Sequence, residues 1–346
     1  LGNIVDTAHQ TDYTIVNPRK LSTEEQNNIC QRCHLQGIAV LQDNKTFFDF
    51  LPSNSLHATM DVFMPTYQGN ENKMIVASHV ESMKMSNCYI NSGKMSCITC
   101  HNPHVSVKYT PQEQFIQACN SCHASKNNCS EKENIRLANN NNCVTCHMPS
   151  NSSIDIPHVA VTDHYIRRKS EKINTEALAN FIGMTCYNHP NPKDRMKARA
   201  FLEFFERYEP NKALLDSSFY YLKKTGVDRK TDFDKDIIRT YFLQENYTQI
   251  VAIVDASKQK QKLDAWTAYR IGESYFQCKN IQTAIPYYQQ AVNESPLHLD
   301  FQYKLGFAYL ELNQLAQAQQ IFEKILKEDN HHAKANAQLG FIAMQQ

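Results

Sequence analysis

The chain has 346 residues, a formal net charge of +1, 12 cysteines and 14 histidines. This length predicts two or three domains. The near-zero charge excludes the bulk electrostatic field that attracts nucleic acid or an acidic surface. No stretch approaches the roughly 18 consecutive apolar residues of a membrane span. We therefore expect a protein without nucleic-acid partners and without a transmembrane segment in this sequence.

Residues 1–168 are rich in turns and carry four copies of the pentapeptide C-x-x-C-H. They are CQRCH at 30–34, CITCH at 97–101, CNSCH at 119–123 and CVTCH at 143–147. This spacing is the attachment signal of c-type haem: two thiols form thioethers to one porphyrin, and the adjacent histidine binds the iron. Zinc binding by C-x-x-C pairs is the alternative, but zinc does not need the histidine in every copy. The region predicts an irregular domain that wraps four covalently bound haems c.

Each predicted haem has three attachment points on the chain. The thioether cysteines are Cys30, Cys33, Cys97, Cys100, Cys119, Cys122, Cys143 and Cys146. The proximal iron ligands are His34, His101, His123 and His147. Covalent haem attachment is normally extracytoplasmic, so the motifs predict a protein of the periplasm, the cell surface or the extracellular space. Its export signal has been removed or lies outside this sequence.

The sixth ligand of each iron decides between electron transfer and catalysis, because a second histidine closes the iron to substrates. Six further histidines are distal candidates: His9, His57, His79, His104, His158 and His164. Methionine is an alternative ligand that raises the reduction potential, but no methionine has a context that singles it out. The surplus of histidines favours bis-His irons.

The contexts of these candidates differ. His104 follows His101 by three residues in CHNPH, so we expect it to reach a neighbouring haem rather than the iron of His101. His158 and His164 lie in DIPHVAVTDHYIRR, a segment that can fold back over the haems. His79 precedes the second motif on a predicted helix. The other two candidates have less context to support them.

Four cysteines lie outside the motifs: Cys88, Cys129, Cys186 and Cys278. The first two flank the second and third motifs, and in an oxidising compartment they either form a disulfide with each other or stay free. The last two are expected to be buried free thiols.

Local structure and charge give two more expectations in this region. A short strand pair is predicted at 38–41 and 47–50, joined by a turn at Asp-Asn-Lys. Arg167 and Arg168 either pair with haem propionates or form a solvated basic pair.

Residues 169–230 change character and read as a helical connector. The segment SEKINTEALANFIGM predicts a helix over 170–184. Pro192 opens a second helix in KDRMKARAFLEFFERY, whose apolar residues recur at helical spacing. A third helix follows in KALLDSSFYYLKK and stops at Gly226.

Residues 231–346 repeat with a period of 34. Gly272, Gly306 and Gly340 are 34 residues apart, and so are Tyr241, Tyr275 and Tyr309. This period and its Gly, Ala and aromatic positions are typical of tetratricopeptide (TPR) helical hairpins. The last copy stops after one helix, so we expect a truncated repeat region. The chain is thus predicted to be mainly α, with a multihaem domain followed by a TPR-like solenoid; a generic helical bundle is the alternative to the solenoid.

Several segments resemble a family of bacterial multihaem c-type cytochromes with a C-terminal TPR region. They are CHLQG, DVFMPTY, ASHVESMKMSNC, CITCHNPHVSVK, NNCVTCHMPS and DIPHVAVTDHYIRR. The family is distantly similar to the hydroxylamine-oxidoreductase and tetrahaem-cytochrome superfamily, and the resemblance covers nearly the whole chain. Its members resemble one another around the counterparts of His79, His104, His158 and His164, and less so at His57.

The resemblance also implies an N-terminal part outside this sequence. Family members carry further motifs upstream, including a CxxCHGPG type, and LGNIVDTAHQTDYTIVNPRKLS looks like the stretch that follows such a motif. Surplus histidines such as His9 then have haems outside this sequence as candidate partners. Four haems are therefore a minimum for the whole protein.

The sequence favours an electron carrier, not an enzyme, with closely packed bis-His haems and a repeat region that docks redox partner proteins. A redox enzyme acting on a nitrogen or sulfur oxyanion is the first alternative and requires a haem with an open side. A subunit of an extracellular cytochrome filament, self-associating through the haem domain or the repeats, is the second.

Overall fold

A computed structural model describes residues 16–35, 37–68, 79–123, 129–152, 160–168, 180–228, 233–257 and 262–345. Helices predominate in these ranges. The chain divides into two compact units, Leu1–Pro192 and Lys193–Gln346. This division falls inside the connector predicted over 169–230.

The first unit combines short helices with two small antiparallel sheets. Its α-helices are α1 (Thr23–His34), α2 (His79–Met85), α3 (Asn87–Ser92), α4 (Gln112–His123), α5 (Glu133–Ala138) and α6 (Cys143–His147). Its strands are β1 (Ile38–Leu41), β2 (Met60–Tyr67), β3 (Ser150–Ser152), β4 (Ala160–Thr162) and β5 (Phe181–Cys186). The larger sheet has the order β1-β2-β5, and β3 pairs with β4. A small apolar core of Leu35, Leu56, Met60, Val62 and Met64 lies beside β2.

One predicted strand is wrong. The strand at 38–41 forms, but it pairs with β2, with Ile38 opposite Phe63. Residues Phe47–Asp49 form a 3₁₀ turn instead. The reason is local capping, because the Asp49 carboxylate accepts a hydrogen bond of 2.6 Å from the Thr46 amide, and such side-chain bonds compete with strand pairing.

The helix predicted over 170–184 is also wrong in the part that the structure describes. Phe181–Cys186 is strand β5, which pairs with β2 so that Cys186 lies opposite Phe63. Asn188 holds this end of the strand, since its Oδ1 accepts from the Val62 amide at 2.8 Å. Tertiary pairing overrides local helix propensity here. Residues 170–179 lie outside the described residues.

The second unit is entirely helical in its described residues. Its helices are α7 (Asp194–Arg207), α8 (Lys212–Lys224), α9 (Lys235–Leu243), α10 (Tyr247–Ala256), α11 (Ala265–Gln277), α12 (Ile281–Glu294), α13 (Leu299–Glu311), α14 (Leu315–Glu328) and α15 (Ala333–Gln345). The first two match the helices predicted after Pro192 and before Gly226. From α11 onward the helices form consecutive hairpins, so the predicted mainly α fold with a TPR-like solenoid is confirmed.

The 34-residue period has a packing cause. A Cβ on Gly272 would lie 3.1 Å from the Tyr288 ring, and one on Gly306 would lie 2.8 Å from the Phe322 ring. Tyr288 and Phe322 are fully buried. The absence of a side chain at each glycine therefore lets an aromatic ring of the next helix approach the backbone.

Candidate functional site

The first motif ends helix α1. The Ser22 hydroxyl caps the helix start by accepting from the Glu25 amide, and the Glu25 carboxylate accepts from the Ser22 amide. On the last turn, Cys33 and His34 are exposed. The Arg32 guanidinium donates to the carbonyl of Phe47 at 3.2 Å, which holds an apolar loop beside the motif.

The second motif forms a 3₁₀ turn, Cys97–Thr99, anchored on helix α1. The buried Asn27 side chain accepts from the Cys97 amide at 3.2 Å and donates to the Met95 carbonyl at 3.4 Å. The Ser96 hydroxyl also donates to Gln26 Oε1 at 2.8 Å. The first two motifs are therefore held against each other by side chains of α1.

The third and fourth motifs end helix α4 and form helix α6, which pack together. His123 is exposed on the last turn of α4. The His147 Nδ1 lies 2.7 Å from the carbonyl of Arg167. A carbonyl oxygen can only accept, so Nδ1 is the donor. The lone pair of Nε2 is then available to bind a metal. This is how proteins orient a histidine that binds a metal.

A row of four imidazoles lies between the first two motifs. The ring centroids of His34 and His79 are 6.0 Å apart, those of His79 and His164 are 4.3 Å apart, and those of His164 and His101 are 6.1 Å apart. Successive ring planes differ by 23°, 29° and 25°. The structure thus places two predicted distal candidates, His79 and His164, between two predicted proximal ligands.

The two outer spacings fit one iron each. Imidazoles on opposite sides of one metal, each at a bond length of about 2 Å, have ring centroids about 6 Å apart. His34 with His79, and His101 with His164, match this separation. The residues present therefore fit the haem that the motifs predict.

The surroundings of His79, His101 and His164 favour the neutral imidazole, which is the state that binds iron. Burial, and then the neighbouring His34 and His101, lower the pKa of His79. Burial, followed by His34, lowers the pKa of His101. Burial and then His79 lower the pKa of His164 to about 4. The His164 Nδ1 donates to the Thr162 carbonyl at 2.9 Å, so its Nε2 is the free nitrogen.

Exposed apolar side chains surround the motifs. Phe48 is 91% exposed and Leu51 is 58% exposed beside the first motif, while Val107 and Tyr109 follow the second and are 61% and 74% exposed. Exposed apolar clusters of this kind mark surfaces that bind a partner or ligand. A porphyrin face is an occupant of suitable size and polarity.

The other distal candidates are placed elsewhere. His104 is exposed after the second motif and is not in the row. His57 stacks on His189 at 4.5 Å, and the His189 Nδ1 lies 3.2 Å from the buried carboxylate of Asp61. His9 and His158 lie outside the described residues.

His189 was missed by sequence reasoning. It lies beyond the predicted haem region, in a segment read as a helical connector. One sequence feature points to His189: it follows Cys186 and Tyr187, at the end of an apolar run. The pairing of β5 with β2 brings it back into the first unit, next to His57 and Asp61.

Both arginines predicted near the haems have partners inside the chain. Arg167 forms an ion pair with Asp163 at 2.5 Å. Arg168 donates to the Ser130 hydroxyl at 3.3 Å. A guanidinium has five N–H donors, so pairing with haem propionates stays a prediction.

Of the two alternatives for Cys88 and Cys129, the structure has the free thiols. Cys88 instead faces the second and third motifs. Burial, and then the neighbouring Cys88, raise the pKa of the Cys100 thiol. Cys186 and Cys278 are also free but only partly buried, and burial raises the pKa of Cys186 to about 11.

Comparison with known proteins supports both halves of the chain. Residues 90–128, which contain the second and third motifs, match the doubled CXXCH motif. Residues 275–339 match the tetratricopeptide repeat. The chain thus carries a paired haem-attachment motif of the multihaem c type and TPR repeats. No curated protein matches the chain in sequence.

Solved structures similar to part of the chain include a MamA protein, at 18% identity and a TM-score of 0.28 over 43% of this chain and 71% of that one. MamA 41-end from Desulfovibrio magneticus RS-1 has 18% identity and a TM-score of 0.27, covering 44% and 75% of the two chains. YrrB, a TPR protein with an unusual peptide-binding site, has 17% identity and a TM-score of 0.31, covering 41% and 70%.

The second unit contains a cavity of about 180 Å³ between α11, α13 and α15. Its walls include Trp266, Tyr269, Phe301 and Tyr303, with Lys304 and Lys334 at its polar side. In the described parts of the chain, no helix is both long and apolar enough to span a bilayer.

Proposed function

We propose that this protein is an extracytoplasmic electron carrier in which four covalently attached haems c pass electrons along a chain of closely packed, bis-His irons. The TPR region docks redox partner proteins or further copies of the protein. We also propose that the protein is distantly related to the hydroxylamine-oxidoreductase superfamily. The observation that carries it is the row His34–His79–His164–His101, with its two spacings of 6.0 and 6.1 Å.

The row supports conduction over catalysis. When bound, haem c supplies a reversible one-electron couple. The chain's own residues would hold the group in a fixed place: the motif cysteines would attach each haem, and His79 and His164 would close the irons of the first two motifs to small molecules. The carbonyls of Thr162 and Arg167 fix the orientation of His164 and His147. An iron held in this way exchanges electrons without binding a substrate.

The central position of the two distal histidines also supports closely spaced haems. His79 is paired with His34, and His164 is paired with His101. The rings of His79 and His164 are nevertheless only 4.3 Å apart. Two irons whose distal ligands are in van der Waals contact belong to neighbouring porphyrins. Close porphyrins favour rapid electron exchange between them.

Electron paramagnetic resonance and absorption spectra of the purified holoprotein test the spin state. We expect low-spin signals from the haems of the first two motifs. A high-spin signal that accounts for either of these haems, together with turnover of nitrite or hydroxylamine, would support the enzyme alternative instead. Intact mass and a pyridine haemochrome assay count the haems, and fewer than four would contradict the predicted number.

Cell fractionation tests the predicted location, with haem staining of the periplasmic, surface and secreted fractions as the readout. Haem-stained protein confined to the cytoplasm would contradict it. Light scattering at several protein concentrations tests self-association. Growth of the molar mass with concentration favours assembly through copies of the chain, whereas a constant monomer mass favours docking of a different protein.

A further inference from the structure

We infer that the spatial order of the haems is the order of their motifs: the second haem lies between the first and the third, and the fourth is paired to the third. This inference rests on the proposed haem occupancy and specifies which haems exchange electrons directly.

The link between the first and second sites is made by two independent sets of contacts. The imidazole row runs from His34 of the first motif to His101 of the second. Asn27, on the helix that carries the first motif, bonds the amide of Cys97 at 3.2 Å and lies 3.5 Å from its sulfur. Both the iron ligands and the thioether edges of these two sites are therefore adjacent.

The link between the second and third sites runs through helix α4. The His101 ring packs edge-to-face against Phe115 with centroids 5.5 Å apart. Phe115 lies about one turn before the third motif on the same helix. The second and third sites are therefore adjacent.

The link between the third and fourth sites is the packing of α4 on α6, the helices that contain the two motifs. The third and fourth sites are therefore adjacent.

The segment Asp163–Arg168 contacts both the second site and the fourth site. It carries His164 into the row and binds His147 through the Arg167 carbonyl at 2.7 Å. The Ser86 hydroxyl fixes the segment, accepting from the Ile166 amide at 2.8 Å and donating to the His164 carbonyl at 3.1 Å.

Redox titration of the holoprotein, followed by electron paramagnetic resonance, tests the order. The variant His79→Met replaces the distal ligand of the first haem by a thioether, which raises its potential and so identifies its signal. We expect the second haem to change its midpoint in response, while the third and fourth stay unchanged. A shift of the fourth haem that equals or exceeds that of the second would overturn the inference.

Removal of single haems supplies the second measurement. Cys97→Ala with Cys100→Ala removes the second attachment site, and Cys143→Ala with Cys146→Ala removes the fourth. The first haem should change its midpoint in the former variant and keep it in the latter. An equal change of the first haem's midpoint in both variants would contradict the order, even if all remaining haems are low-spin. High-spin first and second haems in the unmodified protein would instead contradict the proposed function. Haemochrome counts of three per chain and unchanged far-ultraviolet circular dichroism confirm that each variant has folded.

Discussion

The imidazole of His164 lies 6.1 Å from that of His101, with ring planes 25° apart. The two side chains come from segments far apart in sequence, and Ser86 holds the segment of His164 in place through two hydrogen bonds. The Thr162 carbonyl orients the ring itself. A histidine that is partly buried, has a lowered pKa and is oriented in this way beside a motif histidine has the properties of a distal iron ligand.

Replacement of His164 should therefore open one iron. In His164→Ala, we expect one haem to convert from low spin to high spin while the others keep their spectra, because the alanine offers no ligand. Absorption and electron paramagnetic resonance spectra measure the conversion.

His331→Ala is the matched control, since it removes an exposed histidine of the second unit. It should leave every haem low-spin. Spectra of His164→Ala identical to those of the unmodified protein would rule out His164 as the distal ligand.

Protonation should dissociate His164 from the iron of the second haem only at a pH well below the usual pKa of histidine. The surroundings lower its pKa from 6.5 to about 4, chiefly through burial, so protonation is disfavoured until the pH falls well below the usual range of histidine. We expect the second haem to stay low-spin from pH 7 to pH 5 and to convert near or below pH 4. Stopped-flow absorption measures the conversion before the protein unfolds.

His164→Met tests the cause of this transition, because a thioether takes up no proton in this range. The variant should lose the acid conversion of the second haem. A conversion in the unmodified protein with a midpoint near 6.5 would instead indicate a distal ligand in an ordinary, solvated environment.

The sequence predicted the attachment residues and the repeats because covalent chemistry and a 34-residue period leave local patterns. His79 and His164 were among the six candidates, but their partners depended on long-range contacts. Strand β5 was read as helix because its pairing with β2 is a tertiary effect. His189 was missed for the same reason, since only that pairing brings it beside His57.

Asn27 should stabilise the contact between the first two haem sites. It is 1% exposed, and Asn27→Ala leaves the Cys97 amide and the Met95 carbonyl without their partner. Loss of a buried hydrogen-bonding partner costs about 1–3 kcal/mol. We expect the haem-binding unit to have a lower denaturation midpoint. The absorbance of the Soret band measures this midpoint.

Asn91→Ala is the control for this variant, because the exposed Asn91 side chain bonds only locally, to the Asn87 carbonyl at 2.8 Å. Its effect should stay within about 0.5 kcal/mol, as for most surface substitutions. Equal effects of the two variants would show that Asn27 does not hold the motifs together.

The glycines of the repeats offer a comparison of one substitution in two environments. A Cβ on Gly306 would lie 2.8 Å from the Phe322 ring, whereas a Cβ on Gly340 meets no atom within 4 Å. Both glycines lie inside helices, where alanine is intrinsically better by about 1 kcal/mol. Gly340→Ala should therefore stabilise the second unit by up to about 1 kcal/mol. Gly306→Ala should destabilise it by up to about 2 kcal/mol, because the overpacking cost of about 1–3 kcal/mol offsets or exceeds the propensity gain. The fluorescence of Trp266, the single tryptophan of the chain, measures urea denaturation of this unit. A change of the same sign in the free energy of unfolding for both variants would contradict the packing role of Gly306.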